Sequence, residues 1–216
     1  MNFKKLQAMQ AKLDEAILAD KAPMAAEERF NKTLVALSVA IAAVANTAEH
    51  FKFWEDDKGT VDENRFESMA EFYNLDFEGH YVYADKSTDE FKLVTEEQAH
   101  RLTLIEECSD ALHFILSLAN QNNFRIYDVE HQSLINAVLD FPLNRRHSLE
   151  SNYLGLQNCV QKVSYIGSFM CGYSDMVQLV ANFTIYYESL GITTQELEQA
   201  YYDKNKINYE RLENGY

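Results

Sequence analysis

Two carboxylates three residues apart, Glu107 and Asp110, lie in a stretch whose pattern predicts a helix. At helical pitch this spacing puts both side chains on one face of the helix, one turn apart. Apolar residues follow at helical spacing (Ala111, Leu112, Ile115), so another part of the same helix would be buried in a core. Carboxylate oxygens are suitable ligands for hard divalent cations. The stretch is therefore a candidate metal platform, and it predicts a second set of ligands on a facing helix.

The last predicted helix carries basic and amide side chains on one face of an otherwise acidic chain. Lys204, Asn208 and Arg211 follow i, i+4, i+7 spacing, and Asn205 lies beside them. Lysine and arginine supply positive charge and asparagine supplies amide donors, a combination that suits phosphate oxygens. The alternative is a solvated terminal helix with ordinary surface charges, and periodicity alone does not decide between the two.

Three further signals are weaker. Lys52 and Trp54, near the predicted end of the second helix, could face one cleft, with the lysine at a phosphate and the tryptophan against a base. A core tryptophan beside a lysine that reaches to solvent explains this pair equally well. Gln10 and Asp14, one turn apart on the first helix, could read the edge of a base or could simply face solvent. His113 lies one turn beyond the carboxylate pair, where a hydrogen-bonded core histidine is the alternative to a functional one.

The composition limits the class of protein. The chain has 216 residues with 47% hydrophobic content, two prolines and seven glycines, which favours long helices around one core. It carries 34 acidic and 19 basic residues, and this net charge of −15 argues against nucleic-acid binding while allowing divalent cations. It contains no unbroken apolar run long enough to predict a membrane span, and the N-terminal stretch lacks a signal-peptide core. The cysteines have no metal-type spacing and predict reduced core thiols in a cytoplasmic protein: Cys108, Cys159 and Cys171.

The patterns predict an all-α fold, a single domain over residues 1–216 built as a bundle of long antiparallel helices. The predicted helices cover 3–19, 25–54, 62–73, 96–121, 127–140 and 149–190, the last one broken near Gly167 or Gly172. Gly191 is predicted to end that helix, and Thr193 or Thr194 to cap a final helix that runs to about residue 214. The segment 55–95 changes character, and its runs HYVY and FKLV predict a small hairpin.

These stretches, in this order, resemble the dimeric all-α dUTP diphosphatases, a branch of the all-α nucleoside triphosphate pyrophosphohydrolases. The resemblance rests on four motifs, each weak alone and specific together: QAKLD (10–14), FKFW (51–54), EECSDALHF (106–114), and KNKINYER with NGY (204–216). They span most of the chain. The resemblance implies an all-α homodimer that cleaves dUTP between the α and β phosphates into dUMP and pyrophosphate. It also implies Mg²⁺ ions held by carboxylates of two facing helices.

The same resemblance implies a role for each candidate residue. The metal ligands would be Glu107 and Asp110. The phosphates would be held by Lys52, Lys204, Asn205 and Arg211. The uracil and the deoxyribose would lie near Gln10, Asp14, Trp54, His113 and Asn208. The surroundings of His113 and Trp54 favour uracil, and a pyrophosphohydrolase for another nucleotide such as dCTP is the alternative.

The second helix departs from the family at two positions. The family carries Glu-x-x-Glu there, whereas this chain reads ALSVAIAAVAN over residues 36–46, with Ala40 and Ala43 at the two glutamate positions. Half of the expected carboxylate cage is absent, so we expect Mg²⁺ binding and hydrolysis to be impaired or lost. Two explanations stay open. One is a deliberate double alanine substitution, and the other is a natural inactive relative that binds or regulates.

The segment 55–95 is longer than the corresponding connection in bacterial members of the family. It would serve as a lid, as a surface for a protein partner, or as a tolerated insertion. The alternative function is therefore a non-catalytic nucleotide-binding or regulatory protein whose partner contacts this segment. For the implied homodimer, the apolar helices of 149–190 are the predicted interface.

Overall fold

The chain forms six α-helices and one small three-stranded sheet in the part that the structure, a computed structural model, describes. That part comprises residues 1–19, 21–56, 59–68, 79–85, 90–129, 148–165 and 172–215. Helices account for most of it, and the sheet is confined to the segment between the second and third helices. The prediction of a mainly all-α fold is confirmed.

The helices are α1 (Phe3–Ala19), α2 (Ala26–Ala48), α3 (Glu96–Gln121), α4 (Leu149–Tyr165), α5 (Tyr173–Ser189) and α6 (Thr194–Asn214), with a 3-10 turn at Ile126–Asp128. The strands are β1 (Glu67–Ser68), β2 (His80–Asp85) and β3 (Glu90–Thr95), in the spatial order β1-β2-β3. Both pairings are antiparallel, and Val82 of β2 lies opposite Glu67 on one side and Leu93 on the other.

Several predicted elements are found where the sequence places them. Helices α1 and α3 have the predicted bounds, and α2 begins one residue from its predicted start. The predicted hairpin is formed by β2 and β3. Gly191 follows α5 with a φ of +77°, the left-handed conformation that glycine supplies at helix ends. Thr193 caps α6 in a capping box with Glu196. The predicted break before α5 is also present, because that helix starts after Gly172.

Other predicted boundaries are wrong. Helix α2 ends at Ala48 rather than at residue 54, because Glu49 adopts a left-handed conformation with a φ of 50°. The helix predicted for 62–73 is replaced by a turn and by β1 in its described part, 62–68. Where the helix predicted for 127–140 would begin, the structure has a 3-10 turn at Ile126–Asp128. The rest of those two ranges, and Gly167, lie outside the described residues.

Helix α3 is the centre of the bundle, since it packs against α1, α2 and α6 and also contacts α5. Two hydrogen bonds fix its alignment with α2. Gln121 Nε2 donates to Thr33 Oγ1 at 3.0 Å near one end, and His100 Nε2 lies 3.1 Å from the carbonyl oxygen of Thr47 near the other. The two helices therefore run antiparallel.

Helix α2 is long and apolar enough, by length and composition alone, to cross a membrane. A core helix passes the same test, and so does a signal sequence near an N-terminus. One face of α2 is buried in the main core through Leu37, Ile41 and Val44. Packing against α3 thus accounts for the apolar residues of this face. The opposite face leaves two large apolar side chains exposed, Val35 and Val39.

Candidate functional site

Lys204 of α6 reaches across to α3 and joins two of its carboxylates. Its Nζ donates to Glu106 Oε1 and to Asp110 Oδ2, each at 3.0 Å. The two acids share a helix face because they are four residues apart. Lys204 is only 8% exposed. Burial alone would lower its pKa, but the charges of Asp110 and Glu106 outweigh burial and raise the pKa, so the ammonium stays charged.

Glu106 binds a second cation through its other oxygen. Arg65, which precedes β1, donates from Nη1 to Glu106 Oε2. Burial alone would raise the pKa of Glu106, but Lys204 and Arg65 hold it below its ordinary value. The result is a chain of charged contacts that runs from Arg65 through Glu106 and Lys204 to Asp110.

Glu107 lies beside this network without joining it. No described residue donates a hydrogen bond to its carboxylate, and burial together with the charge of Asp110 raises its pKa. The antiparallel alignment of α2 with α3 puts Ala40 and Ala43 at the level of Glu107 and Asp110. Ala40 is 7% exposed and belongs to the same buried cluster as Cys108.

A second cluster joins α1, α3 and α6 next to the first. The ring of His113 stacks on the ring of Tyr201, with centroids 4.1 Å apart. The Tyr201 hydroxyl donates to Gln10 Oε1 at 3.1 Å, and Gln10 Nε2 donates to Asp14 Oδ1 at 2.8 Å. The structure therefore brings Gln10, Asp14 and His113 together, with a tyrosine that the sequence did not single out as their link.

His113 is a buried, neutral histidine. Its Nδ1 donates to the Ser109 carbonyl oxygen at 2.9 Å, and burial lowers its pKa to about 4. Its Nε2 is then an acceptor, and it has no hydrogen-bond partner among the described residues. Asn205 Nδ2 also lacks an acceptor at hydrogen-bond distance there, although the Asn205 side chain lies close enough to the Tyr201 hydroxyl to act against the rise in its pKa that burial causes. His113 and Asn205 are each 5% exposed. Buried polar atoms without partners are unfavourable, so a ligand or a water that bonds them is stabilised at this point.

Asp14 is held by the protein through both carboxylate oxygens. Besides Gln10 at Oδ1, its Oδ2 accepts from Ser117 Oγ at 2.7 Å and from Arg29 Nη2 at 3.1 Å. With its oxygens engaged in this way, Asp14 orients the amide of Gln10. The predicted contact of Asp14 itself with a base stays a prediction.

Lys52 and Trp54 lie in a separate cluster that follows α2. Lys52 Nζ pairs with Glu49 at 2.7 Å and with Glu55 at 2.9 Å, and Trp54 Nε1 donates to Glu55 Oε1 at 3.3 Å. Trp54 is 60% exposed, so it is not a core tryptophan. Among the described residues, none of these contacts reaches the cluster around Lys204. The phosphate-binding prediction for Lys52 would thus require it to leave two carboxylates.

Asn208 and Arg211 continue the Lys204 face along α6. Asn208 is half-buried and Arg211 is exposed. A groove of about 1010 Å³ opens between α6, α3 and the sheet, and Arg65, Lys204 and Arg211 are among its lining residues. This end of the site is therefore open, whereas the cluster around His113 is closed.

A family model described as dUTPase matches residues 2–72 and 85–216. The chain belongs to this dUTPase family. The resemblance drawn from the four motifs is thereby confirmed. The gap between the two matched ranges, residues 73–84, lies inside the segment 55–95 and includes most of β2. No curated protein matches the chain.

The carboxylates that the structure describes around Glu107 do not form a complete set of metal ligands. In the described ranges, no group of three or more His, Cys, Asp or Glu side chains is arranged to hold a metal ion. Of the two acids on α3, Asp110 is already bound by Lys204. Opposite them, Ala40 and Ala43 offer methyl groups rather than oxygens. The donor set therefore does not fit a resident pair of Mg²⁺ ions, which needs hard oxygen ligands.

Three residues of the site were missed by sequence reasoning. Glu106 precedes Asp110 by four residues and Tyr201 precedes Lys204 by three, so helical spacing could have found both. No such signal exists for Arg65, because it reaches α3 from a turn outside the helices.

Proposed function

We propose that this chain binds deoxyuridine nucleotides, with the nucleoside at the cluster around His113 and the phosphates at the Lys204 end. The observation that carries this proposal is the buried His113 Nε2, which has no hydrogen-bond partner among the described residues, with the buried Asn205 amide close to it. Both residues lie next to Tyr201. His113 stacks on its ring, and Asn205 follows it by one turn of α6. A uracil ring has one N–H and two carbonyl oxygens, so it can donate to the histidine and accept from the asparagine once the side chains that close this cluster have moved apart.

The Lys204 end supplies what a phosphate needs. An ammonium has three N–H donors, and two of those on Lys204 are used by Glu106 and Asp110. The third is free to donate to a phosphate oxygen. Arg211 lies on the same helix face and is exposed, so it can close on the outer phosphates.

We infer that hydrolysis of dUTP to dUMP and pyrophosphate is impaired in this chain. Two features support the inference. Ala40 and Ala43 stand where the family has carboxylates, and Asp110 is engaged by Lys204. Nucleotide binding is then the property expected of the chain as it stands, and turnover is expected to be slow or absent.

Calorimetry tests this proposal directly. Deoxyuridine and a non-hydrolysable α,β-imido analogue of dUTP are titrated separately into the protein, with Mg²⁺ and with EDTA. We expect saturable binding of both compounds, and we expect the analogue to bind in EDTA. The matched cytosine compounds test the choice of base. If neither deoxyuridine compound binds in either buffer, the proposal is wrong.

We propose further that the chain forms a homodimer, as the family resemblance implies. The exposed face of α2 supports a contact there, because Val35 and Val39 are 65% and 64% exposed and Ala42 continues their line. The interface predicted for 149–190 has an exposed apolar residue in Leu154 on α4.

A further inference from the structure

Arg65 is fixed against α3 by its own backbone. The carbonyl oxygen of Asp62 accepts from the backbone N–H of Arg65 at 3.0 Å and from that of Phe66 at 2.9 Å, which closes a turn. Asp62 in turn donates its backbone N–H to Thr103 Oγ1 of α3 at 3.1 Å. Because Thr103 lies three residues before Glu106, this turn is held one helical turn from the acid that Arg65 binds.

The guanidinium of Arg65 is fixed as well. Its Cζ lies 5.0 Å from the ring centroid of Phe66 and 5.4 Å from that of Tyr83 on β2. Contacts of this kind are favourable between a guanidinium and aromatic faces. Phe66 and Tyr83 form a small second core with Ala99 of α3. The arginine therefore reaches Glu106 from a rigid support, and that support belongs to the segment 55–95.

Glu106 divides its two oxygens between two cations. Oε2 binds Arg65, which leaves Oε1 for Lys204. A lysine side chain is long and flexible, so its ammonium is placed by the groups that bind it. A Glu106 carboxylate fixed by Arg65 holds Lys204 at a single oxygen. A carboxylate freed from Arg65 would be able to turn and bind the ammonium with both oxygens, which would leave less of the positive charge of Lys204 available to a phosphate.

We propose that Arg65 is a positioning residue for Lys204, so that the turn at residues 62–66 controls phosphate binding through the contacts Arg65–Glu106–Lys204. The proposal rests on the proposed nucleotide function. Arg65 acts through Glu106 and does not itself bind the base. Its removal is therefore expected to affect ligands that carry phosphates and to leave a ligand without phosphates unaffected.

The test compares deoxyuridine with the α,β-imido analogue of dUTP in EDTA, by calorimetry, in the full chain and its variants. Arg65→Ala should weaken binding of the triphosphate analogue by about fivefold to thirtyfold. Its affinity for deoxyuridine should stay within about twofold. Arg65→Lys keeps the charge but loses the planar fork and the aromatic contacts, so it should not restore full affinity.

A double-mutant cycle separates positioning from simple charge. In a Glu106→Gln background, Arg65→Ala should cause no further loss of triphosphate affinity, because the connecting carboxylate is gone. Lys206→Ala is the control. Lys206 is an exposed cation of α6 that does not line the groove, and its loss should leave both affinities unchanged. If Arg65→Ala does not fold, Glu106→Gln alone should still show a loss confined to the triphosphate.

Three results would overturn the proposal. The first is that Arg65→Ala binds the triphosphate analogue with an affinity within twofold of that of the unmodified chain. The second is an equal loss of deoxyuridine and triphosphate binding, which would indicate a general structural effect. The third is an undiminished effect of Arg65→Ala in the Glu106→Gln background, which would indicate charge acting at a distance. Failure of the unmodified chain to bind either compound would instead refute the proposed function.

Discussion

The imidazole of His113 lies nearly flat against the phenol ring of Tyr201, with 24° between the two ring planes. Burial in this contact lowers the pKa of His113 from its ordinary 6.5 to about 4. Between these two values the unfolded chain binds a proton that the folded chain does not bind. Proton uptake by the unfolded chain therefore lowers the free energy of unfolding as the pH falls from 6.5 toward 4. Above pH 6.5 His113 is neutral in both states, and the full stability is present.

We expect this single histidine to account for a loss of about 3 kcal/mol in the free energy of unfolding between pH 7 and pH 4. Urea denaturation of the unmodified chain and of His113→Gln over that pH range measures it, since glutamine does not titrate. The difference in unfolding free energy between the two proteins should change by that amount as the pH falls. A difference that stays constant would show that His113 is not held neutral.

We expect carboxylates at positions 40 and 43 to enable hydrolysis of dUTP. In Ala40→Glu/Ala43→Glu, two glutamates face Glu107 and Asp110 from α2 and provide the oxygen ligands that Mg²⁺ prefers. We expect the variant to release dUMP and pyrophosphate from dUTP when Mg²⁺ is present, and not when EDTA is present. Product analysis by chromatography checks both. A variant that folds and still yields no dUMP would contradict the assignment of these positions.

The same double variant should be unstable without the metal. Ala40 is 7% exposed, so a glutamate there is desolvated and repelled by the acids of α3. We expect its thermal midpoint to fall in EDTA and to recover in millimolar Mg²⁺. Asn31→Glu/Asn46→Glu adds the same charge at exposed positions of α2 and is the control. A similar Mg²⁺-dependent recovery in the control would remove the support for a metal site.

Helices with strong end signals could be predicted from the sequence, and helix ends made by tertiary contacts could not. The N-terminus of α3 is set by Thr95 and Gln98 in a capping box, which is a local pattern. The end of α2 is different. Its apolar pattern runs on past Ala48, but Glu49 turns left-handed and binds Lys52 and the backbone N–H of Gly59. Nothing in the local sequence indicates the second of these contacts.

The candidate site also combines features that local sequence predicts with features that depend on tertiary contacts. Helical spacing puts Glu107 with Asp110, and Lys204 with Arg211, on one face each, and each pair lies within a helix of the structure. Which acid the lysine meets depends on how α6 is rotated against α3, and in the structure it meets Glu106 and Asp110. Spacing along one helix carries no information about that rotation. Helical periodicity therefore predicts which residues share a face of a helix, whereas their partners on other helices can be identified only in the folded structure.

Removing Lys204 should destabilise the protein as well as weaken phosphate binding. Lys204→Met leaves Glu106 and Asp110, two partly buried acids, without their shared cation. We expect the free energy of unfolding to fall by about 2–4 kcal/mol near pH 7 in urea denaturation. Lys206→Met, two residues along α6, is the control, since Lys206 is exposed and only weakly paired with Glu210 at 3.9 Å. It should change stability by less than about 0.5 kcal/mol. Equal effects of the two substitutions would show that the buried pairing contributes no more than a surface pair.

The two candidate dimer faces can be distinguished by one charge on each. Val39→Asp introduces a carboxylate into the exposed line of Val35, Val39 and Ala42, and Leu154→Asp introduces one on α4. Because an aspartate buried at an apolar contact is strongly unfavourable, only the substitution within the interface should yield monomers. We expect light scattering after size exclusion to report a dimer for the unmodified chain and for Leu154→Asp, and a monomer for Val39→Asp. The reverse result would place the interface on the helices of 149–190. Both residues are exposed in the single chain, so neither substitution should change its fold, and circular dichroism of the two variants checks this.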